Sequence, residues 1–299
     1  MRVLVTGAAG FVGRRLVPHL ETLGCSVEGF DHELDVADAD AVAERVAGAR
    51  PEAIVHLAAR SSVAESFAAQ AEVYRVNYLG ARAVLEAARA RAPRARVLLV
   101  GSGEVYGPGA PGAPGFDESA PLRPGSPYAR SKAAADLLGA RFAAAGLDVV
   151  RVRPFPHTGP GQSDRFAASS FARQLAEAEA GRRPPRVRVG NLDAVRDYLD
   201  VDDVVEAYAR LLDPRTAPGV YNVASGTGVA LRAVLEALLR HARVQPELEV
   251  DPARLRPADS LVGDATRLAR ATGWAPRRPL DDTLARLLDD WRARITGPP

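Results

Sequence analysis

The segment Ser126-Pro127-Tyr128-Ala129-Arg130-Ser131-Lys132 sets a phenol and an ammonium four residues apart, a spacing that puts both on one face of a helix. A phenol with an ordinary pKa of about 10 is a poor acid–base group at neutral pH. A neighbouring ammonium stabilises the phenolate, so the pair predicts a Tyr128 brought toward the working range by Lys132. The chain carries 39 basic residues, and Lys132 is its only lysine. Arginine serves wherever a plain positive charge is enough, so a position that keeps lysine needs a compact ammonium with a tunable pKa. A third group stands upstream, in Val100-Gly101-Ser102-Gly103-Glu104-Val105-Tyr106-Gly107. Beside Tyr128, the Ser102 hydroxyl would bond a substrate oxygen more strongly as charge develops on it.

A helix start and a strand end must hold these groups. Ser126 suits the N-cap, and Pro127 suits the first helical position, where its missing N–H is not needed. Arg96–Val100 reads as a strand, so Ser102 falls at its C-terminal end, where ligands sit in open parallel sheets. Further strands are predicted at Arg2–Thr6, Ser26–Phe30, Ala53–Leu57 and Val149–Arg153, all as apolar runs of the kind buried on both faces. Helical patterns lie between them at Phe11–Leu23, Ala39–Ala47, Ala71–Arg91 and Pro127–Ala145. This alternation predicts an α/β fold, a doubly wound parallel sheet with helices on both faces. Beyond Pro154 the pattern loosens. Helices are expected at Phe166–Gly181, Asp202–Leu212, Ala230–Ala242 and Leu280–Arg294, and strands at Val187–Val189 and Val220–Ala224. Residues 1–155 therefore read as a dinucleotide-binding domain, with segments near 187–225 returning to it. Residues 156–299 read mostly as a smaller α/β substrate domain. The Pro/Gly-rich stretch 107–115 reads as a surface loop.

The dinucleotide expectation comes from the first turn. Arg2–Thr6 runs into Gly7-Ala8-Ala9-Gly10-Phe11-Val12-Gly13 and then a helix. Glycines there allow a tight turn, close approach to a pyrophosphate and close helix–strand packing, while the helix N-terminus offers free N–H groups. Asp31 stands 18 residues beyond Gly13, placed to accept ribose hydroxyls, which favours NAD over NADP. Arg14 and His32 nearby could instead meet a 2′-phosphate, so both cofactors stay open. Asp35 and Val36 would flank the adenine, and Leu57-Ala58-Ala59 would end the third strand at the cofactor edge.

Composition excludes other classes. Formal net charge is +2, with 25% charged and 47% hydrophobic residues, so no electrostatic surface for nucleic acid or membrane is implied. Cys25 is the only cysteine, which rules out an internal disulfide and favours a reducing compartment. No apolar run approaches the roughly 20 residues that span a bilayer, and no leader pattern is read at the N-terminus, so the cytoplasm is expected. The five histidines show no ligand-like spacing, and no metal is expected.

The glycine turn, the Ser-x-x-Val-Tyr-Gly strand end and Tyr-x-x-x-Lys resemble the extended short-chain dehydrogenase/reductases of the NAD-dependent epimerase/dehydratase type, with a Rossmann fold. The second half is most similar to that family's bacterial GDP-6-deoxy-D-mannose reductases. The strings that carry this are 153–162 (Arg-Pro-Phe-Pro-His-Thr-Gly-Pro-Gly-Gln), 189–192 with Arg196-Asp197, 251–259, and Thr272-Gly273-Trp274. The resemblance implies NAD(H) or NADP(H) as cofactor, a nucleotide-sugar substrate, most closely a GDP-linked one, and a homodimer. By it, Lys132 also bonds the nicotinamide ribose, and His157 lies beside the nicotinamide. Arg196 and Arg256 hold the diphosphate, and Asp259 lies near the nucleotide ribose. The chain departs from the family at Pro156, where asparagine is usual, and at Arg60, where glutamine is common. Proline can donate nothing to the sugar, so His157 would have to take over or the sugar sit differently.

The resulting expectation is a reductase acting at C4 of a nucleotide-activated 6-deoxy sugar, with Ser102, Tyr128 and Lys132 as the reaction centre. A 4-epimerase or a 4,6-dehydratase could use the same three residues. Glu104 keeps the dehydratase open, because that reaction needs a carboxylate to remove a proton at C5. A cofactor-binding regulator would have no need of the Tyr128–Lys132 pair.

Overall fold

In strand β1 (Arg2–Thr6), Val3 and Val5 face one layer and Leu4 the other, and all three are buried. The strand is thus covered on both sides. A computed structural model of the chain describes residues 1–110, 112–255 and 258–297. After β1 come β2 (Ser26–Phe30), β3 (Ala53–His56), β4 (Arg96–Val100), β5 (Val149–Pro154), β6 (His157–Thr158), β7 (Arg186–Val189), β8 (Val195–Asp197), β9 (Leu199–Asp200), β10 (Gly219–Val223), β11 (Gly228–Ala230), β12 (Glu247–Val250) and β13 (Ser260–Leu261). The helices are α1 (Gly13–Thr22), α2 (Ala39–Ala49), α3 (Val63–Ser66), α4 (Gln70–Tyr74), α5 (Gly80–Arg91), α6 (Pro127–Ala144), α7 (Ala167–Glu179), α8 (Val201–Leu211), α9 (Leu231–His241), α10 (Thr266–Thr272) and α11 (Leu280–Thr296).

Six strands pair in parallel in the order β10-β5-β4-β3-β1-β2, a doubly wound α/β sheet. One face packs Leu4, Ile54, Val97 and Leu99 against Val42, Val46, Val84 and Leu85 of α2 and α5. The other packs Val3, Val55, Leu98 and Val152 against Leu16 and Leu20 of α1 and Val204 and Tyr208 of α8. The chain passes from β1 to β2 on one side and then to β3 on the other, so a crevice opens between the C-terminal ends of β1 and β3, where such sheets bind ligands. A separate cluster joins Phe171 and Leu175 of α7, Leu235 and Leu238 of α9 and Leu284, Leu287 and Leu288 of α11 over Val187 and Val189. Beside it lies a three-stranded sheet, β11-β8-β13.

Three expectations needed correction. β2 is not an apolar run buried on both faces: only Phe30 in it is buried, because β2 is the sheet edge. The helix expected over Ala71–Arg91 contains a π-helical turn, Arg75–Leu79, between α4 and α5. The strand expected to reach Leu57 ends at His56. The short strands β6, β8, β9, β11, β12 and β13 and the helices α3 and α10 were not foreseen. Segments of two to seven residues are too short for a readable periodicity. Among the described residues, no helix is long and apolar enough to cross a membrane.

Candidate active site

The first turn is strapped to the end of β2. Gly7 and Ala8 donate their N–H groups to Phe30 O (2.8 and 3.2 Å), and Ala9 N–H donates to Asp31 Oδ2 at 2.9 Å. Gly7 has φ +70°, a conformation side chains resist, and a Cβ there would stand 2.8 Å from Ala58 N. A Cβ on Gly13 would stand 2.3 Å from Gly7 O. The backbone is therefore as close on itself, and as bare toward the crevice, as a pyrophosphate cradle requires. Phe11 and Val12 are half-buried at its rim. Gly10 N–H closes the turn on Gly7 O at 3.1 Å.

Around this cradle stand the other cofactor candidates. Asp31 also meets the exposed His32 ring at 3.2 Å. Asp35 accepts from Ala37 N–H and pairs with Arg75 at 2.5 Å, contacts that hold its carboxyl below the usual range, the backbone bond first. Val36 is buried against Gly80. Leu57, Ala58 and Ala59 follow β3, with Ala58 N–H donating to Thr6 Oγ1 at 3.1 Å. Thr6 Oγ1 lies 2.8 Å from His56 Nδ1. Burial, and secondarily the charge of Lys132, push the His56 pKa down to about 3, so this ring is neutral. The His157 ring stacks on Phe11 with centroids 6.1 Å apart and planes 6° from parallel. Burial lowers its pKa as well. Glycines where side chains would collide, a carboxylate at the end of β2 and a crevice between them fit a dinucleotide.

Helix α6 begins as expected: Ser126 Oγ accepts from Ala129 N–H at 3.0 Å, and Pro127 opens the helix. Tyr128 and Lys132 then sit one turn apart, both buried. Lys132 Nζ donates to Val100 O at 2.8 Å, the last residue of β4. Ser102, two residues on, accepts from Glu104 N–H at 3.2 Å and lies close enough to the Tyr128 phenol to pull its pKa down. The structure thus brings Ser102, Tyr128 and Lys132 together.

The electrostatics differ from the sequence expectation. Burial pushes the Tyr128 pKa up to about 12, against the pull of Ser102. Burial also brings Lys132 down to about 8. The ammonium spends one N–H on Val100 O, and desolvation of the phenol outweighs what a neighbouring charge could do. The phenol keeps its proton at neutral pH.

Glu104 is pushed up by burial, eased by Arg196 and reinforced by Asp259. These three substrate candidates therefore lie in one neighbourhood. Arg196 Nη2 pairs with Asp259 Oδ1 at 2.9 Å, and Nη1 donates to Val195 O at 2.8 Å. Arg256 lies outside the described residues. Arg60 is exposed, and Pro156 uses its carbonyl to accept Leu199 N–H at 2.9 Å.

Asn77, in the π-helical turn, was missed. It is buried, accepts from Arg60 N–H (2.8 Å), and donates to Arg60 O (3.1 Å) and Ser131 Oγ (2.9 Å). Ser131 in turn donates to Tyr128 O at 2.8 Å. Asn77 thereby ties the loop after β3 to the helix bearing Tyr128. The available signal was one amide inside the otherwise apolar and aromatic run Val76-Asn77-Tyr78-Leu79, and π turns concentrate at functional sites. A second missed feature is Asp136, one turn beyond Lys132. It accepts from Arg153 Nε and Nη2 at 3.0 Å each, and Arg153 Nη1 donates to Tyr106 Oη at 2.9 Å.

Comparison with known proteins adds to this geometry. The family model described as NAD dependent epimerase/dehydratase family matches residues 3–224. The chain is 38% identical to the GDP-6-deoxy-D-mannose reductase of Pseudomonas aeruginosa, over 98% of each protein. It is 32% identical to a UDP-glucose 4-epimerase of Mycolicibacterium smegmatis, covering 98% of this chain and 99% of that one. Among solved structures, RMD from Pseudomonas aeruginosa complexed with NADPH is similar with a TM-score of 0.90 at 36% identity, covering 98% of this chain and 99% of that one.

Proposed function

The chain belongs to the NAD dependent epimerase/dehydratase family, and from that premise we propose that it reduces the C4 keto group of a nucleotide-activated 6-deoxy sugar. It is an NAD(P)-dependent oxidoreductase, with NAD(H) or NADP(H) as cofactor. The substrate favoured is GDP-4-dehydro-6-deoxy-D-mannose, giving GDP-D-rhamnose. Its support is the reductase of Pseudomonas aeruginosa, 38% identical over 98% of each chain.

The observation that carries the reading is the buried Tyr128 phenol beside Ser102, with Lys132 one turn on. The crevice between the C-terminal ends of β1 and β3 would hold a reduced nicotinamide, whose chemistry there would be hydride donation to C4. Tyr128, with its pKa pushed up to about 12, holds the proton that the new hydroxyl needs and passes it from Oη to the C4 oxygen. Ser102 accepts from Glu104 N–H and so keeps its own proton to donate to that oxygen. Lys132, near 8, is charged at neutral pH. Its two N–H groups not turned to Val100 serve the nicotinamide ribose and the phenolate left after transfer.

Residues 1–155, with the returning strand β10, hold the cofactor in this reading, and most of 156–299 holds the nucleotide sugar. Arg196 and Arg256 clasp the diphosphate, a role that suits a planar, always-charged fork, and Asp259 meets the nucleotide ribose. His157 supplies the sugar-side contact that Pro156 cannot. The exposed Phe67, Tyr74, Leu79 and Leu137, on neighbouring elements around α3 to α6, support a homodimer. A reaction that consumes reduced nicotinamide, in a chain whose only cysteine is unpaired, belongs in the cytoplasm.

Glu104 favours a second reading, a 4,6-dehydratase. Burial raises the Glu104 carboxyl, which makes it a stronger base once ionised and keeps this reading open. Purified protein mixed with GDP-4-dehydro-6-deoxy-D-mannose and NADH or NADPH should lose reduced-nicotinamide absorbance. Unchanged absorbance with both cofactors would overturn the proposal. Turnover of GDP-mannose with catalytic oxidised cofactor would favour the dehydratase.

A further inference from the structure

Asp197 follows Arg196 directly in β8, so the two side chains leave opposite faces of that strand. Arg196 turns toward Glu104 and Asp259. Asp197 is fully buried, at 0% exposure, and its oxygens take four hydrogen bonds. Oδ1 accepts from Ser225 N–H (2.8 Å) and the Ser225 hydroxyl (2.5 Å). Oδ2 accepts from Gly226 N–H (3.0 Å) and Gly263 N–H (3.1 Å). Among the described residues no cationic side chain pairs with it, so these dipoles alone offset its desolvation.

The donors come from both flanks of β8. Ser225 and Gly226 lie between β10, the edge of the large sheet, and β11, while Gly263 follows β13. β11 and β13 are the two neighbours of β8 in the small sheet. One carboxylate therefore joins the C-terminal edge of the large sheet to the sheet that carries Arg196. The joint is tight: a Cβ on Gly263 would stand 2.5 Å from the Phe155 ring and 2.6 Å from Ala224 Cβ. Phe155 is the first residue after β5, and its ring lies against Gly103, next to Ser102.

We propose that Asp197 is a positioning residue for the nucleotide sugar. By pinning β8 to the edge of the large sheet it sets the separation between Arg196 and Tyr128, and so the reach from the diphosphate to the sugar carbon being reduced. The inference rests on Arg196 as the diphosphate contact.

The test is steady-state kinetics on Asp197→Asn, Arg196→Ala and the double variant, with binding of NADPH and NADH followed by fluorescence. Asparagine keeps the shape of Asp197 but offers one acceptor oxygen, leaving N–H donors unpaired. Asp197→Asn is expected to raise KM for the nucleotide sugar about tenfold, with kcat within about twofold and cofactor affinity unchanged. The double variant should match Arg196→Ala, because both changes act through one contact. Losses that multiply, or a fall in kcat and cofactor affinity together, would make Asp197 a packing residue and overturn the inference with the diphosphate reading intact. An unchanged KM in Arg196→Ala would overturn that reading, and the inference with it. If Asp197→Asn does not fold, Ser225→Ala removes only the hydroxyl donor and takes its place in the cycle, with a KM rise of about threefold expected.

Discussion

Lys132 Nζ donates to the carbonyl oxygen of Val100 at 2.8 Å, which fastens the helix bearing Tyr128 to the strand that ends beside Ser102. The bond needs a slender side chain with a compact donor, since Lys132 is buried on all sides. A guanidinium is too broad for that space. The one lysine of the chain thus holds both charge and geometry.

Its pKa near 8 sets a pH dependence. The ammonium is present below that value and lost above it, so kcat/KM for reduction should fall as pH rises through about 8. A flat profile between roughly pH 7 and 9 would contradict this. Stability runs the other way. The folded pKa lies below the ordinary value of 10.5, so the unfolded chain binds more protons between the two, and folding gains as pH rises across that window. The melting temperature of Lys132→Met minus that of the wild type should therefore shrink as pH increases from about 7 to 10.

Asn77→Ala would leave Arg60 N–H, Arg60 O and Ser131 Oγ each short of a partner. The expected cost is about 2 kcal/mol in denaturant unfolding. Freed from α6, the loop after β3 should loosen, and kcat should drop about tenfold. A variant with wild-type kcat would show that the tie has no bearing on turnover.

In Gly13→Ala the new methyl would meet Gly7 O at 2.3 Å and Ala8 O at 2.5 Å. Both are backbone atoms of the turn, so the turn itself must shift, at a cost of about 1–3 kcal/mol. Titration should show cofactor affinity weakened at least about tenfold. Undiminished binding would separate the glycine turn from the cofactor site.

Leu137 is 57% exposed on α6. Leu137→Glu is expected to convert the proposed dimer to a monomer in sedimentation at micromolar concentration, with little change in melting temperature below the dissociation range. A wild-type chain that sediments as a monomer would rule out the proposed dimer.

How much of this could be read from sequence depended on the signal each residue leaves. β1, β3 and β4 were legible because both faces are buried and nearly every residue reports it. β2 was located correctly but mistaken in character, since an edge strand borrows its order from one neighbour. Ser102, Tyr128 and Lys132 stood out by spacing and by the rarity of lysine. The raised phenol was not legible, because sequence names the charged neighbour of Tyr128 but not the depth at which both are buried. The Arg196–Asp259 pair spans 63 positions, a separation that only the folded three-stranded sheet closes. Asn77 was hidden inside a helical pattern whose π turn leaves no periodic mark.

In the proposed reaction the buried Tyr128 phenol delivers the proton to the C4 oxygen. Tyr128→Phe keeps the ring and removes only the hydroxyl, so single-turnover reduction of the keto-sugar by the variant tests it most directly. The expected result is a loss of at least about a thousandfold in the rate of reduced-nicotinamide oxidation, with cofactor affinity changed by less than about threefold. A variant that oxidises the cofactor at the wild-type rate would contradict it.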